Sequence, residues 1–241
     1  MRHLPQPDPA PPLKDNQILR RYLDLSKFID LLRTKSLYLR RADLFHDKFE
    51  GSFTPSLRAA IEEAYSVHKV DFSYEKFKKE LREGVYVNCW SLGANDNMAL
   101  WNIYGKSEAS VAVQTTVKRL RSEISTWQPG GNTSIDRVEY IKHWRDPAID
   151  IHPYSNVFRY KVIAYEFEKE ARIIHDRMEH NFAKSEKDTG LHIPVQLNRL
   201  ITSIVVSPSA QPWFFELVTD VAKRYGVTAQ VKPSRLAIDP I

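Results

Sequence analysis

The apolar positions of the chain follow two spacings, one typical of short strands and one typical of amphipathic helices. Strands are predicted for the short apolar-rich runs, at residues 18–23, 36–40, 85–91, 110–114, 136–141, 201–206 and 228–232. Helices are predicted where apolar residues recur every three to four positions, at residues 26–35, 56–83, 98–104, 116–125 and 212–225. Asp24 or Ser26, Thr116 and Ser209 are suited to begin helices, and Gly84, Gly105 and Gly226 to end them.

One further segment, residues 160–174, is predicted to be extended. On a strand, alternate side chains share a face, so Glu168, Glu170 and Arg172 would point the same way, away from Phe167 and Lys169. Two carboxylates and a guanidinium on one face form either a solvated ion-pair ladder or a functional site. The residues alone leave both interpretations open.

Interleaved strands and helices without a G-x-G-x-x-G motif favour an α+β fold with a mixed, mostly antiparallel sheet core. We expect a single domain over residues 16–241, with residues 56–83 as a helical insertion. Residues 1–15 hold five prolines and are predicted to form a disordered or draped tail. The polar stretch 177–191 is expected to be a hairpin or loop, and residues 41–51 an ordered loop ended by Gly51.

Composition narrows the class of protein. The 241 residues are 42% hydrophobic and 27% charged, as in an ordinary globular protein. The net charge of +5 is compatible with a polyanionic partner, although no polybasic tract is present. A single cysteine, Cys89, excludes an intramolecular disulfide and indicates a reducing compartment. No apolar run is long enough to span a bilayer, so we expect a cytoplasmic protein without a membrane partner.

Several common chemistries lack their motifs. No H-x-x-x-H or H-E-x-x-H spacing occurs, so no metal is expected. G-x-S-x-G, P-loop and kinase signatures are missing as well. Cys89 lies within a predicted strand, which favours a buried thiol over a nucleophile. A cysteine or histidine hydrolase therefore ranks last among the functions considered.

A set of motifs in a fixed order resembles the bacterial family catalogued as domain of unknown function 2971. They are Arg21-Tyr22, then Phe45-His46-Asp47-Lys48-Phe49-Glu50, Cys89-Trp90-Ser91, Met98-Ala99-Leu100-Trp101-x-x-Tyr104-Gly105 and Phe167-Glu168-x-Glu170-x-Arg172. The resemblance runs from about residue 19 to the C-terminus. The loop usually reads F-N-D-P-F-E in that family, so this chain replaces Asn and Pro but keeps Asp47 and Glu50.

The same order is similar to the ADP-ribosyltransferase superfamily, where a basic residue, a hydroxyl and a glutamate act on NAD. The resemblance implies that Arg21 holds ribose or phosphate and Ser91 supports the nicotinamide ribose. It also implies that Glu170 stabilises the cationic sugar, with Glu168 as the second glutamate of the pair. Arg21, Ser91 and Glu170 would then converge on NAD as the substrate, on a split-sheet fold.

The resemblance also implies a set of further ligand-binding residues, which are Tyr22, Trp90, Trp101, Tyr104, Asp47, Glu168 and Arg172. An aromatic floor suits a nicotinamide ring and a guanidinium suits a pyrophosphate. Two alternatives stay open: Tyr22 and Trp101 as core aromatics, and Arg172 as a structural partner of Glu170.

Two functions therefore compete. The first is an NAD-dependent ADP-ribosyltransferase-like enzyme of the toxin or phage-defence type, acting on a protein or nucleic-acid acceptor. The second is a module that binds a nucleotide, a nucleic acid or a protein without turning anything over.

Overall fold

The computed structural model describes residues 11–47, 49–68, 71–106, 108–127, 130–178 and 188–237. Most of the predicted proline-rich tail and of the predicted 177–191 loop lies outside these residues. Contacts divide the chain into two compact units. The first unit holds Leu39–Asn88 and Pro129–Leu191, and the second holds Leu13–Tyr38, Cys89–Gln128 and His192–Ile241. None of the helices in the described part is both long and apolar enough to cross a membrane.

The secondary structure is α+β with mostly antiparallel strand pairing, which confirms the predicted fold class. The strands are β1 (Ile18–Asp24), β2 (Ser36–Arg41), β3 (Val85–Leu92), β4 (Ser110–Thr116), β5 (Asn132–Arg137), β6 (Glu139–Ile141), β7 (Tyr160–Val162), β8 (Glu170–Asp176), β9 (Gly190–Pro194), β10 (Ser203–Val206) and β11 (Gln230–Pro233). The helices are α1 (Leu25–Thr34), α2 (Pro55–Val67), α3 (Tyr74–Gly84), α4 (Met98–Leu100), α5 (Val117–Ile124), α6 (Leu197–Leu200) and α7 (Pro212–Arg224).

The sheet of the second unit is built around β1 and β4. These strands pair antiparallel from Ile18 opposite Thr116 to Asp24 opposite Ser110. β10 continues the sheet antiparallel to β4, and β11 adds a parallel strand beside β10. Helix α1 follows β1 directly because the Asp24 side chain accepts a hydrogen bond from the backbone N–H of Lys27. Its buried side chains, Phe28, Leu31 and Leu32, have the predicted three-to-four-residue spacing.

The first unit combines an antiparallel strand pair with two helices. β5 and β8 pair from Asn132 opposite Asp176 to Arg137 opposite Ala171. β6 and β7 form a short parallel pair. Helices α2 and α3 lie in the segment that was predicted to be helical, on either side of the break expected near Val70-Asp71, and the aromatic side chains around them pack together. The ring contacts are Phe53–Tyr74, Phe53–Phe77, Phe77–Tyr154 and the stacked pair Tyr65–Phe72.

The prediction of one extended segment over residues 160–174 was wrong. β7 ends at Val162, and a 3-10 turn spans Ile163–Glu168. Lys169 then takes a left-handed conformation with φ 46°, and β8 begins at Glu170. Glu168 therefore does not lie on the strand of Glu170 and Arg172. A run of alternating residues does not reveal a single left-handed residue, since a lysine is uncommon there.

Three local predictions also need correction. Lys106, not Gly105, has the positive φ that ends the helix after α4. Gly105 is needed because a Cβ there would lie 2.6 Å from Ser110 Oγ. Gln211 rather than Ser209 precedes α7 as its N-cap residue. The predicted strand at 136–141 is instead divided between β5 and β6, with Val138 between them.

Candidate functional site

Five charged side chains meet in the interior of the first unit, and we call them the buried charge cluster. They are Glu50, Lys161, Glu168, Glu170 and Arg172, each at most 7% exposed. Three glutamates share two cations in this cluster, and Glu168 is also within hydrogen-bonding reach of the Glu170 carboxylate. Taking charges out of water is costly unless they are paired and hydrogen-bonded. The arrangement is therefore held by a specific set of contacts.

Four chain segments bring these side chains together. Glu170 and Arg172 stand two residues apart on one face of β8, as the sequence pattern predicts. Lys161 is the middle residue of β7, and Glu168 is the last residue of the following 3-10 turn. Glu50 comes from the loop before Gly51. Gly51 has φ 70°, and a Cβ there would lie 2.6 Å from the ring of Phe158.

The Arg172 guanidinium bridges Glu170 and Glu50. Its Nε donates to Glu170 Oε2 over 2.7 Å, and its Nη2 forms an ion pair with the same oxygen at 2.6 Å. Nη2 also donates to Glu50 Oε1 over 2.8 Å, and Nη1 donates to the carbonyl oxygen of Phe158 over 2.9 Å. A guanidinium carries several N–H donors in a planar fork, so it can bond more than one carboxylate at the same time. Arg172 thus directs all three nitrogens at protein groups, as expected for a structural partner of Glu170.

The Lys161 ammonium is shared among all three carboxylates. It pairs most closely with Glu168 and lies 3.4 Å from Glu170 Oε1 and 3.6 Å from Glu50 Oε1. The same ammonium lies 4.5 Å from the centroid of the Tyr165 ring. The backbone N–H of Glu170 donates to Tyr140 Oη over 2.8 Å. These contacts fix the position of the Glu170 carboxylate.

The electrostatics of the cluster keep Glu170 ionised. Burial raises the pKa of the carboxyl, but the charges of Arg172 and Lys161, together with hydrogen bonds from Glu168 and Arg172, leave the pKa below its usual range. For Lys161, burial lowers the pKa of the ammonium while Glu170 and the other two carboxylates raise it more, so the net shift is upward. At neutral pH the site therefore holds an anion with fixed counterions.

In the second unit, the strand register determines which side chains share a face. Arg20, not Arg21, stands directly opposite Ser91 in the β1–β3 pair. Because successive residues alternate, Arg21 points to the other face of the sheet from Ser91. Arg20 Nη1 pairs with Asp96 Oδ1 over 2.6 Å, and its Nη2 donates to the Ala94 carbonyl and to Gln114 Oε1. The sequence pattern identified Arg21 and missed Arg20 and Asp96.

Arg21 is a cation with spare donor capacity. Among the described residues, its Nη1 is buried without a hydrogen-bond partner. Burial lowers the pKa of the Arg21 guanidinium to about 10, with Cys89 opposing the shift, so the group stays charged at neutral pH. Arg21 and Ser91 belong to the second unit and Glu170 to the first. The predicted convergence of these three residues stays a prediction.

The aromatic residues proposed to line a ligand site divide into two groups. Tyr22, Trp90 and Trp101 are 7%, 1% and 3% exposed. Tyr22 and Trp101 meet edge to face, with ring centroids 4.8 Å apart, in a core cluster with Leu100, Ala112 and Val205. These two rings are core aromatics, the alternative that the sequence left open. Tyr104 is 38% exposed and offers a ring to solvent.

Asp47 holds its own loop together. Its Oδ1 accepts a hydrogen bond from the backbone N–H of Phe49 over 2.9 Å, which is the local bond expected for such a loop. Across the described ranges, no group of three or more His, Cys, Asp or Glu side chains is arranged to hold a metal ion. The three glutamates of the buried charge cluster have lysine and arginine as their counterions instead.

Sequence reasoning missed Lys161, a member of the buried charge cluster, and Tyr140, which bonds the backbone of Glu170. Lys161 stands between Tyr160 and Val162, and a lysine within a short apolar strand is unusual, since lysine is almost never buried unless it is paired. That position was the available signal. Tyr140 gave no signal, because its hydroxyl acts on a backbone group 30 residues away.

No protein-family model matches the chain, and no curated protein shows significant similarity. The resemblance to domain of unknown function 2971 therefore stays a prediction. Among solved structures, the chain is similar to DarT from Thermus sp. 2.9 in complex with ADP-ribosylated single-stranded DNA. That match has a TM-score of 0.43 at 11% identity and covers 95% of this chain and 98% of that one.

Two further DarT structures match at a similar level. The complex with carba-NAD+ has a TM-score of 0.40 at 10% identity, covering 92% of this chain and 97% of that one. The complex with NAD+ has a TM-score of 0.43 at 10% identity, with coverages of 92% and 98%. A likeness this distant assigns no ligand or activity, so the function has to be argued from the residues of this chain.

Proposed function

We propose that this protein is an NAD+-dependent ADP-ribosyltransferase-like enzyme in which the Glu170 carboxylate stabilises the cationic sugar as nicotinamide leaves. In that reaction the C1′–N bond breaks and its electron pair departs with nicotinamide. The oxocarbenium ion that remains is captured by an acceptor nucleophile. A fixed anion beside the sugar lowers the energy of such an ion.

The observation that carries the proposal is the ionised, fixed state of Glu170. Arg172 holds one carboxylate oxygen through a hydrogen bond from Nε and an ion pair with Nη2, and Lys161 lies near the other oxygen. A preorganised charge costs no rearrangement when the positive charge develops on the sugar. In this proposal Arg172 acts through Glu170 by keeping it ionised, and Glu168 acts through Lys161.

Residues of the second unit are assigned to the rest of the substrate. Arg21 is a guanidinium with an unpartnered buried donor among the described residues, which suits a pyrophosphate. Tyr104 is assigned to the nicotinamide ring. Ser91 faces the other side of the sheet from Arg21, so this proposal gives it no contact with the substrate. The proposal places the protein in the cytoplasm, where the single cysteine stays reduced, as a toxin or phage-defence effector acting on protein or nucleic acid.

Labelled NAD+ tests the assignment directly. Glu170→Gln keeps the size of the side chain but removes its charge, so we expect turnover to fall by about 10²-fold or more. A matched control is Glu123→Gln, because Glu123 is another buried glutamate paired with an arginine, Arg199. Equal turnover by the wild type and Glu170→Gln would reject the catalytic assignment.

Binding can be separated from chemistry by thermal shift. A ligand that binds only the folded state raises the melting temperature. We expect NAD+ to stabilise both the wild type and Glu170→Gln, and to stabilise Arg21→Ala much less. Circular dichroism of each variant without NAD+ shows whether it is folded. A folded Glu170→Gln variant that still binds NAD+ but does not turn it over is the expected result.

A second candidate function is supported by the burial of the same carboxylate. Glu170 is 5% exposed, and both its oxygens already face cations. That arrangement would serve equally as a structural pair in a module that binds a nucleotide, nucleic acid or protein without turnover. Stabilisation by NAD+ with no nicotinamide release, or salt-sensitive nucleic-acid binding unchanged by Glu170→Gln, would favour this function.

A further inference from the structure

We propose that Lys161 and Glu50 are positioning residues that act on the charge of Glu170 in opposite directions: Lys161 favours the ionised carboxylate, and Glu50 opposes it by competing for the same cations. The inference rests on the proposed function for its activity readout. It also predicts a change in folding stability, which can be measured without NAD+. Neither residue is assigned a contact with the substrate.

The geometry makes the charges interdependent. Glu50 Oε1 lies 2.8 Å from Arg172 Nη2 and 3.6 Å from Lys161 Nζ, so it competes with Glu170 for both cations. Lys161 in turn divides its attraction among three carboxylates. In a buried site these interactions are weakly screened by water and salt. Removing one charge should therefore change the proton affinity of the others.

Other titratable and charged groups surround the cluster. They are Tyr140 on β6, Tyr165 on the 3-10 turn, Asp136 opposite Arg172 on β5, and the pairs that Arg159 forms with Asp136 and Glu139. Burial and the nearby Glu170 and Glu168 raise the pKa of Tyr140, so it stays neutral below pH 8. Arg159 pairs with both Asp136 and Glu139, so these three side chains carry one net negative charge. That charge is the same in every variant compared below, so differences between the variants come from the five members of the cluster.

Simple charge counting predicts opposite effects for two single variants. Lys161→Met removes one positive charge next to Glu170 and should raise the proton affinity of its carboxylate. Glu50→Gln removes one competing negative charge and should lower that proton affinity. The double variant removes one charge of each sign, so it restores the net charge of the wild type.

The pH profile of NAD+ turnover is the decisive measurement. We expect its acidic limb to move up by about one pH unit or more in Lys161→Met, because an opposite charge within 4–6 Å shifts a carboxyl by that amount. It should move down in Glu50→Gln and return toward the wild-type position in the double variant. Lys161→Arg, which keeps the charge, should stay close to wild type.

A purely structural role gives a different pattern. Both single variants would then lower the melting temperature, the double variant would be worse than either, and the acidic limb would stay in place. Shifts in the same direction for both single variants, or no compensation in the double variant, would overturn the proposal. The proposal would also be overturned if the acidic limb of the pH profile moved as far in Lys161→Arg as it does in Lys161→Met.

Failure of the proposed function would be recognised separately. If the wild type does not turn over NAD+, the same variants are compared by urea unfolding between pH 3 and pH 7. The loss of stability on acidification should then be smaller than wild type in Lys161→Met, because the folded pKa of Glu170 moves closer to its unfolded value. The loss should be larger in Glu50→Gln and close to wild type in the double variant. Unfolding curves without this order would overturn the positioning role on their own.

Discussion

Gly51 and Gly226 have similar backbone conformations but different surroundings. Comparing them separates the energetic cost of a left-handed backbone from the cost of a steric clash. Gly51 and Gly226 have φ of 70° and 76°. A Cβ at Gly51 would meet the buried ring of Phe158 at 2.6 Å, whereas a Cβ at Gly226 would meet nothing within 4 Å. Gly51 follows Glu50, so its close approach to Phe158 also fixes the backbone position from which the Glu50 side chain enters the buried charge cluster.

We expect Gly226→Ala to cost about 1 kcal/mol, which is the left-handed backbone penalty alone. Gly51→Ala should cost about 1–3 kcal/mol more, since the ring of Phe158 must move in a packed core. Urea unfolding of the two variants at pH 7 measures the difference. Equal losses would mean that the core around Phe158 yields freely to an added methyl group.

The residue pattern predicts the part of the site that lies on one strand, but it does not predict contacts between residues that are far apart in sequence. The Glu170–Arg172 pair follows from strand periodicity, because the two residues are neighbours on one face. Glu50 meets Arg172 across 122 positions, and no local pattern carries that contact. Arg20 and Arg21 are adjacent, so only the β1–β3 register decides which one faces Ser91.

Helix termini show how much local sequence determines at the scale of elements. Asp24, Asn97 and Thr116 each accept a hydrogen bond from the backbone of the helix that follows, as their residue types predict. Helix α7 differs because Gln211 precedes it and makes no side-chain cap bond, in spite of an extended backbone at φ −72° and ψ 154°. The helix still begins there, since Pro212 favours its first position.

That missing cap gives an element-scale prediction. Gln211→Asp places a short carboxylate where it can accept from the first turn of α7, so we expect a gain of about 0.5–1 kcal/mol. Glu at the same position carries the same charge on a longer side chain that is a poor cap. Gln211→Glu is therefore the control, and chemical denaturation should show a smaller gain for it. Equal gains would assign the effect to charge rather than to capping.

Elements were mispredicted where one residue adopts an uncommon backbone conformation. Lys169 has positive φ and precedes the start of β8, inside a segment that periodicity alone predicts as one strand. Lys106 has the positive φ that was expected of Gly105, although the helical segment ends at Gly105 as predicted. Neither is Gly or Asn, the residues that usually mark such positions. Tertiary contacts supply the reason: Lys106 follows the tight approach of Gly105 to Ser110, and Lys169 connects Glu168 to Glu170 inside the buried charge cluster.

The stability of the whole molecule should depend on pH through buried groups as well as surface charge. His143 is 8% exposed, its Nε2 lies 3.1 Å from the carbonyl oxygen of Ser52, and its ring contacts Phe49. Burial lowers the pKa of His143 below its usual value near 6.5, although the bond to Ser52 opposes the shift. The nearby carboxylates of Asp47 and Asp146 also raise the pKa of His143, and the ammonium of Lys78 lowers it.

The sign of the effect follows from proton uptake. As pH falls through about 6.5, the unfolded chain binds a proton at this position. The folded protein binds it only at a lower pH, so folding becomes less favourable across that window. Glu170 acts in a separate window: its folded pKa is depressed, so its contribution is present above about pH 4.5 and is lost only as pH falls further.

We therefore expect the urea midpoint to fall between pH 7 and pH 5.5 before the carboxylates of the buried charge cluster titrate. His143→Gln keeps a donor for Ser52 but cannot take up a proton, so its midpoint should stay level over that range. His46→Gln, on an exposed loop position of the same unit, should keep the wild-type decline. His143→Gln differs from the wild type by one titratable group only. If the urea midpoint of this variant still declined, the acid sensitivity would belong to a group other than His143.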